Sequence, residues 1–158
     1  MELLLLLPLI LLIRSDFREK QVGILPLLLL GILQWGWVFW EYGGSLLWWR
    51  IVLNGSVLLV MGMGVLLYLL VKYGKRTNPL NGFLGSGDIW FLICLLPAFE
   101  VKEFVWFLVI SFLLTIAGWM VYRLSGKRND RIPLVGTVGI CYSIYLIYRF
   151  IHLRMMLL

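Results

Sequence analysis

Apolar residues in this chain fall into long unbroken runs. They neither alternate with polar residues nor keep to one face of a helix. The runs cover residues 3–13, 22–40, 51–71, 89–99, 104–122 and 132–151, and short polar or glycine-containing joints separate them. Bilayer hydrocarbon offers no partner to a free N–H or C=O, so a spanning segment must be a helix or a strand of a closed barrel. Barrel strands alternate apolar and polar positions, and these runs do not. The pattern therefore predicts an all-α integral membrane protein with about six transmembrane helices, forming a single domain over residues 1–158. The longest joint, 72–87, has 16 residues and leaves no room for a soluble domain.

Two of the runs, 3–13 and 89–99, have only 11 residues, against the roughly 20 that cross a bilayer. The first resembles a signal-peptide core in length alone. Only Glu2 precedes it, no small-residue cleavage site follows it, and its basic residues come afterwards, so we expect a retained helix. Helical continuation towards Lys20, with basic side chains reaching the boundary, would make it long enough. The turn at 100–103 predicts a tight hairpin between the fourth and fifth helices.

Charge adds topology. With six spans, the first, third and fifth joints lie on one side and carry ten of the 14 Lys and Arg residues, among them Arg14, Arg18 and Lys72. Arg50, Lys102, Arg149 and Arg154 remain for the other side. Four acids share the basic side, which leaves it at +6 and the other side neutral. The basic side is expected to be cytoplasmic, with both termini outside the cytoplasm. Composition agrees, since 62% hydrophobic and 14% charged residues lie outside the soluble range. The net charge of +6 comes from short clusters between spans, so we expect contact with membrane lipid and no nucleic acid. The sequence sets no oligomeric state.

Cys94 and Cys141 lie inside apolar runs without a CxxC, and His152 is the only histidine, so neither a metal site nor a cofactor is expected. Trp35, Trp37, Trp40, Trp48 and Trp49 read as an interfacial belt. Gly55, Gly62 and Gly64 read as places where helices pack closely. Asn54, Ser56, Ser111 and Thr115 are too scattered for a transport pathway.

The candidate chemistry rests on two acids on the basic side, Asp16 after the first run and Asp88 before the fourth. An acid near hydrocarbon is costly to ionise, and a nearby second carboxylate raises its pKa further. Two such acids sharing one proton supply a base that activates water and an acid that protonates a peptide carbonyl. Their individual roles are left open. Asp88 stands in Gly85-Ser86-Gly87-Asp88, where Gly85 and Gly87 would allow positive φ and the close approach of an extended substrate.

Three stretches resemble the prepilin and preflagellin peptidases, membrane aspartyl proteases with a Gly-x-Gly-Asp motif. They are Asp16-Phe17-Arg18-Glu19-Lys20-Gln21-Val22, Leu84-Gly85-Ser86-Gly87-Asp88-Ile89 and Ile132-Pro133-Leu134-Val135-Gly136. The resemblance implies an aspartic-type endopeptidase of the short, peptidase-only branch, with Asp16 and Asp88 as the catalytic pair. It implies that basic leaders are removed from type IV prepilin-like or related secreted precursors at the cytoplasmic face of the inner (cytoplasmic) membrane, without N-methylation. The family usually has Ile-Pro where this chain has Val22-Gly23, and often has lysine where it has Trp90. Those departures motivate the alternative of an inactive member serving as a membrane scaffold. Taken singly, Asp88 also reads as a helix N-cap, and Asp16 as a solvated acid paired with Lys20.

Overall fold

The computed structural model describes residues 2–19, 22–73, 85–124 and 134–156, and these are almost entirely helical. A 3₁₀ turn at Glu2–Leu5 leads into α1 (Leu6–Glu19), followed by α2 (Ile24–Tyr73) and α3 (Ser86–Leu95). A second 3₁₀ turn, Leu96–Ala98, precedes α4 (Val101–Leu124) and α5 (Leu134–Met156). Three stretches, Ile24–Lys72, Val101–Leu124 and Leu134–His152, are long and apolar enough to cross a membrane. Their outward surfaces are apolar, with Leu25 81% and Val71 87% exposed, as suits a protein embedded in lipid.

Helix α2 would be about 75 Å long if straight, more than twice the hydrocarbon thickness of a bilayer. It is broken at Gly43, whose φ of 79° and ψ of 168° are open essentially to glycine alone. The arms 24–42 and 44–73 then fold back. A Cβ on Gly31 in the first arm would lie 3.1 Å from Cys94 Sγ. In the second arm, Asn54 Nδ2 donates to the carbonyl of Leu96 at 2.7 Å. In a straight helix residues 31 and 54 would be about 35 Å apart, yet they meet residues two apart on α3. The joint between the second and third apolar runs is thus a single glycine, and the ten-residue gap between those runs is otherwise helical.

α1 continues to Glu19, six residues past the end of its apolar run. It runs antiparallel to α5: Asp16 meets Gly136, and Ile13 and Leu9 meet Gly139. The first arm of α2 runs parallel to α5, with Gln34 Oε1 accepting from the Tyr142 hydroxyl at 2.7 Å and Tyr42 accepting from Arg149 at 2.7 Å. One end of the bundle therefore gathers Asp16, Val22, Asp88 and Gly136. The opposite end gathers Arg50 with Glu100 at 3.6 Å, Arg50 over the Tyr42 ring, and Tyr145 donating to Glu103 at 3.2 Å. Between the ends lies an apolar core that includes Leu9, Leu30, Phe91, Phe104, Leu108 and Tyr142.

The turn after α3 lies at residues 96–100, not at the expected 100–103, where Val101–Glu103 already belong to α4, and α3 and α4 do not pack as the expected tight hairpin. Its polar groups are met from a distance: Asn54 donates to the Leu96 carbonyl and to the Phe99 carbonyl at 2.9 Å, where Pro97 and the 3₁₀ turn interrupt the helical ladder. The expectation for Gly55, Gly62 and Gly64 is overturned. A Cβ at any of them would meet open space, and around Gly62 and Gly64 residues 59–68 are exposed on every side, with no helix against them among the described residues. Close packing falls instead at Gly31, Gly87, Gly136 and Gly139. Most of the basic joint residues, including Lys20, Lys75, Arg76, Lys127, Arg128 and Arg131, lie outside the described residues, as do Leu84, Ile132 and Pro133.

The Asn54 bonds yield a direct expectation. Asn54→Leu keeps the volume but strips two buried carbonyls of their donor, and should lower the unfolding free energy by about 1–3 kcal/mol. Unfolding of the detergent-solubilised protein by a denaturing detergent measures this.

Candidate active site

The buried face of α1 is Leu5, Leu9, Leu12 and then Asp16, at steps of four, three and four residues. The periodicity that turns three leucines inward turns the carboxylate inward too. Asp16 is only 6% exposed, and its Oδ2 accepts the backbone N–H of Gly136 at 2.5 Å. Gly136 has no side chain to hold its neighbours off. A Cβ there would lie 2.6 Å from the Phe17 ring and 3.2 Å from Asp16 Oδ2.

Asp88 repeats the arrangement on α3. It heads the stripe that continues through buried Phe91, Leu92 and Leu95. It is not the N-cap. That position is Gly85, whose carbonyl accepts from the Asp88 N–H at 3.0 Å, while Asp88 Oδ2 accepts from the Gly85 N–H at 3.2 Å. The carboxylate thus closes half of a capping box, reaching back from the third helical position. Gly85 has φ of −70°, and among the described residues Gly43 is the one glycine with positive φ, so the motif glycines do not use left-handed conformations. They give close approach: a Cβ on Gly85 would sit 3.1 Å from Asp88 Oδ2, and one on Gly87 would sit 2.5 Å from Val22 Cβ.

Asp16 and Asp88 are 72 residues apart in the chain and lie outside the apolar runs 3–13 and 89–99. The fold brings them together at one end. Burial raises the pKa of Asp16 above its ordinary value, and the Gly136 amide works against that rise. Burial also raises Asp88, the Gly85 amide opposes it, and the negative charge of Asp16 adds a further upward push. The last effect requires the two carboxylates to be near each other. One amide per carboxylate leaves acceptor capacity on both, which a water or a peptide group can use.

Sequence reasoning missed the amide of Gly136 and the wall that Phe17 makes against it. The signal was the glycine two residues inside α5, but its partner is 120 positions away. It also gave no packing role to Val22, which lies against Gly87. Trp90 is 59% exposed, off the buried stripe that Asp88 heads. The pairing of Asp16 with Lys20 lies outside the described residues. Beyond the acids, Thr115 and Thr137 join their hydroxyls at 2.8 Å and tie α4 to α5 next to Gly136. Among the described residues no three of His, Cys, Asp and Glu are grouped so that they could hold a metal ion.

No protein-family model, curated protein or solved structure matches the chain.

Two measurements follow from this geometry. Gly136→Ala should lower stability by about 1–3 kcal/mol, because the new methyl meets the Phe17 ring, and adding Phe17→Ala should recover most of the loss. The second concerns pH. Both carboxyls are raised above 3.8 in the folded protein, so the stability they contribute is fully present below that value. It is lost as pH climbs through the raised values, where a desolvated acid must ionise. The wild-type melting temperature should therefore fall as pH rises above 3.8, relative to a chain carrying Asp16→Asn and Asp88→Asn.

Proposed function

We propose that this chain is a membrane aspartyl endopeptidase of the prepilin-peptidase type, in which Asp16 and Asp88 share one proton and hydrolyse a peptide bond. The observation that carries the reading is the meeting of these two acids at one end of the bundle, each partly desolvated and one feeling the charge of the other. The upward shifts favour an arrangement in which one acid keeps its proton while its neighbour ionises. The ionised carboxylate takes a proton from water, the protonated one gives its proton to the peptide carbonyl, and the resulting tetrahedral intermediate collapses with cleavage of the C–N bond. No metal or covalent intermediate enters.

In this reading the chain crosses the inner membrane six times, the break at Gly43 serving as the outer turn between the second and third spans. Both termini are outside the cytoplasm and the acids face the cytoplasm. The basic residues of that side keep it inside. The substrates are prepilin-like or related secreted precursors with short basic leaders, whose scissile bond lies at the head of an apolar helix. The exposed start of α3 at Gly85 and Ser86, beside the Asp88 carboxylate, is where an unwound stretch of substrate would approach.

Co-expression with a leader-bearing prepilin tests the mechanism. Asp16→Asn and Asp88→Asn should each reduce leader removal by about two to four orders of magnitude, while the variants remain in the membrane at wild-type levels. Leader removal that survives both substitutions overturns the reading and leaves the scaffold alternative.

A further inference from the structure

Ser111 and Thr115 stand one turn apart on α4, both buried, and the chemistry of the two acids makes no use of either. Each hydroxyl closes on its own helix: Ser111 donates to the Leu108 carbonyl at 3.2 Å and Thr115 to the Ser111 carbonyl at 2.7 Å. With its proton so placed, Thr115 Oγ1 is left as an acceptor, and the Thr137 hydroxyl meets it at 2.8 Å. The Leu134 carbonyl is also within reach of Thr137, at 3.1 Å, so the shorter bond is the one that runs from α5 to α4.

The place of that bond in the fold gives it a consequence. Thr137 is the fourth residue of α5 and follows Gly136, whose N–H belongs to the first turn and has no carbonyl of its own helix to meet. That N–H goes to Asp16 Oδ2 at 2.5 Å. Adjacent residues point about 100° apart around a helix, so one turn of α5 is held on two sides, by α1 through Gly136 and by α4 through Thr137. Rotation of α5 about its own axis would swing the N–H off the carboxylate. A bond from the next residue to a third helix resists that rotation.

We infer that Thr115 and Thr137 are positioning residues for Asp16: their bond fixes the first turn of α5 so that the Gly136 amide stays on the Asp16 carboxylate. Only the catalytic consequence rests on the protease reading. The positioning itself belongs to the folded chain. Besides Asp88 from α3, the charged groups on the elements around Asp16 are Arg14 and Arg18, both exposed on its own helix, and Arg123 on α4, which lies over the Trp119 ring. Among the described residues α5 and the segment 22–42 bring no charged side chain to that end.

The test titrates the full-length protein in detergent, labelled with carbon-13 aspartate and followed by NMR. The chain carries Asp88→Asn, so that the titration read is that of Asp16 alone, and Asp130 is the one other labelled carboxyl. Thr137→Val should move the Asp16 titration to higher pH, because burial remains while the amide that opposes it is loosened. Thr115→Val, which changes no atom of α5, should do the same, and the double variant should go no further than either, since both remove one bond. Thr137→Ser keeps the hydroxyl and should titrate as the parent. Ser143→Ala removes a bond confined to α5 and should have no effect. An Asp16 titration unmoved by both valine variants, or moved as far by Thr137→Ser or Ser143→Ala, would overturn the inference. With Asp88 restored, Thr137→Val should lower kcat for leader removal about tenfold with KM near that of the wild type. A raised KM with kcat intact would overturn the catalytic consequence. Titration shifts as expected in a chain whose wild type removes no leader would overturn the protease reading and uphold the positioning.

Discussion

Lipid hydrocarbon forms no hydrogen bonds, and this single constraint organises the described structure. A polar group that leaves water must find its partner within the chain, and the cost of failing is of the order of a few kcal/mol per group. Asn54 meets the carbonyls that the α3 turn exposes. Gln34 receives Tyr142, and the Thr115 and Thr137 hydroxyls pair. Each of these bonds ties one helix to another or to the turn after α3, so the same requirement also fixes which segments are neighbours, although Gln34 Nε2 and Asn54 Oδ1 find no partner among the described residues.

The two acids obey the rule only in part. Each carboxylate has a backbone amide, Gly136 for Asp16 and Gly85 for Asp88, and those amides do not cancel the upward effect of burial on either pKa. A structural acid in such a place gains from a cation or from several donors. Holding two near each other with one amide apiece keeps stability down and leaves acceptor sites to be filled. Arrangements of that kind are concentrated where proton transfer is needed. The absence of side chains at Gly136 and Gly87 is what lets α1 and the residue before α2 come close enough to build it.

Much of this was legible in the sequence because lipid imposes a simple code. Unbroken apolar runs gave the helices, but because those runs are apolar at every position they do not say which face turns inward. That Leu5, Leu9 and Leu12 carry Asp16 inward, and that Asp88 heads the stripe of Phe91 and Leu95, is visible only in the structure. What could not be read is partnership across long separations. Gly136 meets Asp16 only because α1 and α5 are antiparallel, and no local pattern states that. Gly62 and Gly64 show the converse: their spacing looks like a packing motif, but a glycine records only that a side chain is missing, not that a neighbour has arrived. Gly43 was hidden for a different reason. The helix on both sides of it is continuous in composition, and the turn consists of one backbone conformation.

The two ends of the bundle are built differently. At the Gly43 end Arg50 bonds Glu100 and stacks on Tyr42, Arg149 bonds Tyr42 and lies over Trp37, and Tyr145 bonds Glu103. These contacts link both arms of α2 to the turn after α3, and to α4 and α5, through long side chains with several donors. At the other end the described helices meet through two glycines, a valine, a phenylalanine ring and two acids that each hold one amide. The one ion pair at the Gly43 end among the described residues, Arg50 with Glu100, leaves Glu100 72% exposed, so that end is held less by the strength of any pair than by the number of segments its long side chains span.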